Sequence, residues 1–360
     1  MIFNFILPIY LIGSMMFFWP GMMAYKPQEM FIQYSALLFF VISMIEPAKR
    51  EINNKYIGFF LLYVFCHVLL LGFDVKPRMQ MLNLFLVAIT IKIVAERVDL
   101  ELKRIGWVLL VFCLVNLGII YLQSINQDPI FTSVHFDKMP EVDLVGLMGS
   151  RFAVGALGAL SMPFIYLISP FLCVIPLVLV VIGKSSTLAL SLVLGFLFLL
   201  WFDHKRTFWM LLILSASLFG LYVALDYGTG QFHLRLNTWR EGFRYLAGTH
   251  PWTGNGLGSW ADVNFFHVQD NGEPKIWKWA HNEFLQVVFE LGIVSAFFIW
   301  FFLKDKIQRL VLYTKRDRVI FASFFILMIF AFFHFPFHVG RFAGMSAFIF
   351  ALGEANADQA

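Results

Sequence analysis

The stretch Trp279-Ala280-His281-Asn282-Glu283-Phe284-Leu285-Gln286, running on to Glu290-Leu291-Gly292, holds the side chains best suited to chemistry. Asn282, Gln286 and Glu290 recur every four residues, so on a helix they stripe one face. In lipid that face must look into a bundle, because amides and carboxyl groups are costly against hydrocarbon. His281 heads the stripe. An imidazole titrates near neutrality and can take the proton of an attacking hydroxyl. The same position also suits a histidine that anchors or caps a helix at a membrane surface, and the spacing leaves both readings open.

Upstream lies Arg235-Leu236-Asn237-Thr238-Trp239, then His250-Pro251-Trp252-Thr253-Gly254-Asn255-Gly256-Leu257-Gly258. A guanidinium holds phosphate oxygens in a two-armed fork, which makes Arg235 a candidate phosphate ligand. Gly254, Gly256 and Gly258 let backbone approach a ligand or turn tightly, although a GxGxG that follows no strand is a weak signal. Arg240 and Arg244 read as a solvated helix face. His334, His338 and Arg341 flank a turn at Pro336 and are placed to join the same site; the competing reading is that they end helices at the surface.

Several chemistries are not indicated. The chain carries no Walker loop, CxxC pair, HExxH or nucleophile elbow, and no DxD pair to hold a divalent cation. Neither ATP-driven nor metal-dependent chemistry is expected, and no cofactor is. The apolar runs 151–168, 186–202 and 207–225 contain no Asp, Glu or Lys beyond their ends, whereas ion-coupled transporters place such groups near the midplane. Polar chemistry gathered outside the spans favours an enzyme acting at the outer surface. A flippase of lipid-linked sugar and a non-catalytic assembly factor are the rivals from other classes.

The elements that must position these residues are transmembrane helices. The 360 residues are 60% hydrophobic and 14% charged, against about a quarter charged in soluble domains. Apolar runs fall at 2–19, 31–45, 56–73, 79–95, 105–122, 151–168, 171–183, 186–202, 207–225, 281–303, 319–335 and 337–352. Each span needs about 20 apolar residues, so the chain reads as an all-α integral membrane protein of about 12 helices. The first run lacks a basic leader and a cleavage site and reads as the first span. The pair around Pro170 and Pro176 is expected to be broken or tilted. Cys66, Cys113 and Cys173 all sit in apolar runs and read as packing residues.

Orientation follows from the basic loops. Lys49, Arg50 and Lys55, then Arg97, Lys103 and Arg104, then Lys205 and Arg206, and finally the six cations of 304–318 all fall on one side when twelve spans are threaded. That side is the cytoplasm, and both termini join it; Lys76 and Arg78 are mildly discordant. The net charge of +4 lies in these short clusters, which marks topology and not nucleic-acid binding. Two long loops map outside: 123–150, net acidic, and 226–280, whose Trp239, Trp252, Trp260 and Trp277 argue for order. Residues 1–360 thus form a single polytopic domain.

The set Arg235…Trp239, Pro251..Gly254-Asn255-Gly256-x-Gly258 and Ala280-His281-Asn282xxLeu285-Gln286xxxGlu290xGly292 resembles the O-antigen ligase and polymerase superfamily of bacterial membrane glycosyltransferases. Gly146-Leu147-Met148-Gly149-Ser150-Arg151, leading to Pro163, resembles the segment that opens a middle span in that family. Lys184-Ser185-Ser186-Thr187-Leu188 resembles its SR(G/T)xxL segment, with Ser186 where the family has arginine and Lys184 two residues before it. The resemblance implies a GT-C-like bundle in the bacterial inner membrane with one large periplasmic loop. It also implies transfer of a glycan from a polyprenyl-diphosphate carrier to an acceptor: lipid A core for a ligase, a growing polysaccharide for a polymerase, or a protein hydroxyl. In that reading His281 is the base and Arg235 stabilises the leaving diphosphate. Lys184, Arg151, Asn282, Trp239, Gly254, Gly256, His338 and Arg341 line the substrates, and loop tryptophans stack on sugar faces.

Overall fold

The computed structural model describes residues 2–15, 26–49, 55–71, 75–97, 101–129, 144–203, 209, 213, 231–263, 266–268, 274–276, 279–310, 315–334, 336 and 340–357. Over these the chain forms α1 (Ile2–Met15), α2 (Lys26–Ile45), α3 (Lys55–Leu71), α4 (Val75–Arg97), α5 (Leu102–Ser124) and α6 (Arg151–Tyr166). Then follow α7 (Val174–Ile182), α8 (Ser186–Asp203), α9 (Gln231–Gly248), α10 (Glu283–Leu310), α11 (Lys315–Phe333) and α12 (Gly340–Ala357). The expected run 207–225 lies almost wholly outside the described residues. The expected break near Pro170 is a 3-10 turn, Pro170–Cys173, leading into the nine-residue α7.

The bundle is apolar on the outside. In α5 the polar Asn116 and Gln123 are buried while Trp107, Val111, Leu114 and Val115 face outward. A soluble helix would reverse that arrangement; lipid favours it. Among the described residues Leu102–Ser124 and Glu283–Lys304 are long and apolar enough to cross a membrane, and seven shorter apolar helices accompany them. Both features fit a membrane protein.

Each end of the bundle is tied by polar bonds. At one end Arg97 donates through Nε to the Glu46 carbonyl at 3.0 Å, and Lys49 N–H donates to the Glu96 carbonyl at 3.0 Å. The chain just after α2 and the end of α4 therefore meet. At the other end Gln123 Oε1 accepts from the N–H groups of Val145 and Gly146 at 3.0 and 2.9 Å. Asn116 Oδ1 takes the Leu147 N–H at 2.9 Å, and Ser150 caps α6 by accepting from Ala153 N–H at 3.2 Å. The start of α6, and with it Arg151, is fixed at that end.

The segment 226–280 departs from the purely helical expectation. It contains the 18-residue α9 and a small antiparallel ribbon, β1 (Phe266–Val268) on β2 (Pro274–Ile276), with His267 opposite Lys275. Arg240 and Arg244 lie exposed on α9 beside Glu241, a solvated face as their spacing predicts.

α10 is broken at Gly292, whose φ of 75° and ψ of 175° end the helical ladder. The loop 251–258 fills the gap. Ile293 and Val294 N–H donate to the carbonyls of Pro251 and Trp252 at 2.9 and 3.4 Å instead of to their own helix. In return the carbonyls of Phe289 and Glu290 accept from Asn255 and Gly256 N–H, both at 3.0 Å. Tyr63 OH donates to the Leu291 carbonyl at 2.5 Å, and His67 Nε2 contacts the Thr253 carbonyl at 2.6 Å. Five α10 backbone groups around the break thus find partners outside their own helix, as burial in hydrocarbon requires.

The splice leaves no room for a Cβ at Gly254, which would run into the Glu290 carbonyl, and φ there is +77°. Gly254→Ala is therefore expected to lower the melting temperature of the purified protein, by strain of about 1–3 kcal/mol or more. Gly248→Ala, where nothing lies within 4 Å of the added carbon, should leave it unchanged. Equal melting temperatures for the two variants would show that the loop does not need this close approach.

Candidate functional site

His281 occupies the joint between the 226–280 segment and α10. Its φ is 52°, in the left-handed region that non-glycine residues seldom enter. That conformation costs about 1–2 kcal/mol and persists because its neighbours are held. Ala280 O accepts from Trp239 Nε1 at 2.7 Å, and Ala280 N–H donates to Gln286 Oε1 at 3.1 Å. Asn282 Oδ1 caps α10 by accepting the Leu285 N–H at 2.9 Å. Behind them Gln286 Nε2 donates to Glu290 Oε1 at 3.0 Å, and Glu290 Oε2 accepts the Gly258 N–H at 2.8 Å. The stripe does face inward: Asn282, Gln286 and Glu290 are all buried. It clamps the peptide on either side of His281 and ties it to the splice.

His281 meets His334, just beyond the end of α11, with ring centroids 6.0 Å apart. Arg235 on α9 reaches the same place, its Nη1 donating to the Phe333 carbonyl at 3.0 Å. On the other side the Phe152 ring, one residue into α6 from Arg151, packs on His334 at 4.3 Å. Lys184 stands exposed at the turn into α8, with φ of 47°. The adjoining Gly183 packs directly against Gly155 and the Arg151 carbonyl, so Lys184 and Arg151 share one end of the bundle. Arg235, His281 and His334 therefore converge, with Arg151 one residue from the contact and Lys184 beside Arg151.

The remaining candidates take other places. The Trp239 ring is buried against Phe332 and Phe333 with its Nε1 committed to Ala280, so it holds His281 in place and has no face to offer a sugar. Trp252, 65% exposed, does turn outward. Asn282 is a helix cap. Gly254 N–H donates to the His250 carbonyl at 2.7 Å and Gly256 N–H to α10, so neither peptide is aimed at a ligand. Trp239 Nε1, Asn282 Oδ1 and the N–H groups of Gly254 and Gly256 are thus used within the protein, and the expected substrate contacts are not made by these atoms. Arg341 falls in the first turn of α12, its side chain outside the described residues, and His338 lies outside them altogether.

His334 carries the strongest electrostatic mark of the site. Burial first, then the charge of Arg235 and the proximity of His281, hold its imidazole well below the ordinary value of 6.5. An imidazole kept neutral in the folded state while the unfolded chain protonates makes the protein lose stability as pH falls below 6.5. His334→Gln is expected to flatten that acid limb in melting temperatures measured across the range. An unchanged slope would place the acid sensitivity elsewhere.

An apolar cavity of about 390 Å³ lies beside this cluster, between α3, α4, α10 and α12, and Trp279 and Glu283 stand in its wall. Among the described residues no group of three or more His, Cys, Asp or Glu side chains is arranged to hold a metal ion.

No curated protein matches the chain. The family described as O-antigen ligase matches residues 171–301, which run from α7 through α8 and α9 into α10 and include Lys184, Arg235 and His281. Over that stretch the chain is similar to the O-antigen ligase family, as the motifs suggested.

Proposed function

We propose that this protein is a glycosyltransferase that moves a glycan from a polyprenyl-diphosphate carrier to an acceptor hydroxyl, that of lipid A core, on the periplasmic face of the bacterial inner membrane. The observation that carries the reading is the meeting of Arg235 and His281 at His334, at one end of an apolar bundle. The acceptor oxygen attacks the anomeric carbon, and its proton passes to His281. The bond from that carbon to the phosphate oxygen breaks, and the diphosphate leaves on the carrier with its charge met by Arg235, aided by Arg151 and Lys184. Preorganised cations in a site of low dielectric suit such a departure without a metal or nucleotide. Twelve spans of a GT-C-like bundle, with both termini in the cytoplasm, would put the 226–280 segment on the side where these substrates meet.

Deletion of the gene followed by gel analysis of surface polysaccharide tests this. Loss of all O-chains from an otherwise intact core is the expected result. Single-repeat caps would make the protein a polymerase, and an unglycosylated protein with normal polysaccharide would make it a protein glycosylase. Wild-type glycans throughout would leave the transfer reading without support.

A further inference from the structure

Three hydrogen bonds run in series from the loop 251–258 to the peptide before His281. Gly258 N–H donates to Glu290 Oε2 at 2.8 Å, Gln286 Nε2 donates to Glu290 Oε1 at 3.0 Å, and Ala280 N–H donates to Gln286 Oε1 at 3.1 Å. Gln286 and Glu290 are 1% and 2% exposed, so bulk water does not stand in for a lost partner.

The series has a fixed polarity. Both of its ends are backbone N–H groups, which only donate. The two side chains between them must together accept from each end and supply one donor to each other. A carboxylate at 290 and an amide at 286 do so, because the carboxylate accepts on both oxygens and the amide has one arm of each kind. Two amides cannot. Wherever the amide oxygens are turned, one pair of donors is left face to face, at Gly258, at Ala280 or between the side chains. Two carboxylates cannot either, since they set acceptor against acceptor. The reversed order can: an amide at 290 accepts from Gly258 and donates to a carboxylate at 286, which also accepts from Ala280.

The Ala280 end bears on chemistry. Its peptide leads directly into His281, held at φ 52° with its ring 6.0 Å from that of His334. Trp239 Nε1 secures the carbonyl of Ala280, and Gln286 secures its N–H. We infer that Glu290 is a positioning residue for His281: it fixes the orientation of the Gln286 amide, which holds the Ala280 N–H and so keeps the imidazole against His334. The kinetic part of this inference rests on the transfer reading above, and the placement of the imidazole does not.

The test compares the full-length protein in nanodiscs as wild type, Glu290→Gln, Gln286→Glu and the exchanged pair carrying both changes. The pair has the composition and charge of the wild type. Diethyl pyrocarbonate acylates neutral imidazoles, and its rate at His281, read by mass spectrometry against the exposed His250, reports how open the ring is. Each single variant is expected to raise that rate several-fold. With lipid-linked glycan and acceptor, each should lower kcat by about 10²-fold, the cost of displacing a reacting group by about an ångström, and leave KM unchanged. The exchanged pair should return both quantities to wild-type values. A merely structural role would lower melting temperatures and leave the His281 rate of the folded protein as it was. If neither single variant can be purified, Gln286→Met, which removes only the amide, takes their place and should show the same rise. The inference is overturned if Glu290→Gln, or Gln286→Met in its stead, labels His281 at the wild-type rate. It is equally overturned if the exchanged pair labels His281 no more like the wild type than the single changes do. Labelling restored in the exchanged pair, with no transfer by any form, would keep the positioning role and remove the transfer reading, so the two fail separately.

Discussion

His281→Asn is expected to lower glycan transfer by about 10²–10⁴-fold, the usual contribution of a positioned general base. Asparagine is the informative choice because it enters the left-handed region readily, where His281 sits at φ 52°. The clamp formed by Trp239, Gln286 and Asn282 acts on backbone and capping groups, so it survives the change. The variant should match the wild type in melting temperature and membrane level while forming no product from lipid-linked glycan and acceptor. A histidine that only anchors the helix behaves otherwise, since an amide would replace it without loss of turnover. Wild-type rates with purified His281→Asn would therefore remove the base from the mechanism.

Arg235→Ala should reduce transfer by about 10²–10³-fold, the cost of removing one preorganised donor to developing charge. Arg235→Lys should recover only part of it. One arm of the guanidinium already holds the Phe333 carbonyl at 3.0 Å, and an ammonium lacks the planar fork to hold that carbonyl and phosphate oxygens at fixed angles. Arg240→Ala is the control: its side chain is 60% exposed beside Glu241, and near-normal transfer is expected. Equal activity for Arg235→Ala and Arg240→Ala, at equal protein in the membrane, would show that Arg235 meets no phosphate.

The inward face of the 282–290 stripe, the exposed Arg240 and Arg244, and the break at Pro170 were all legible in the chain, because each is a local matter of period or of proline geometry. The roles of Trp239 and the glycines were not. Trp239 and Ala280 are 41 residues apart, and Gly258 and Glu290 are 32 apart, so their bonds exist only once α9 and the loop fold back on α10. The motif Gly254-x-Gly256-x-Gly258 and the later Glu290-x-Gly292 read as separate signals but are two halves of one contact. His334 looked like a helix end, and it is one. What the sequence could not give is the approach of Arg235 from 99 positions earlier, an interval that no local pattern reports.

The splice at Gly292 also limits how the region can evolve and move. Raising 251–258 like a flap would strand the Phe289 and Glu290 carbonyls and the Ile293 and Val294 N–H groups in apolar surroundings, several kcal/mol apiece in the absence of water. Opening of the transfer site proposed above would then come from parting helices and not from lifting this piece. For anyone building hybrids between relatives, 251–258 and 289–294 are one heritable cassette: exchanging either half alone should yield a misfolded chain, and exchanging both a functional one.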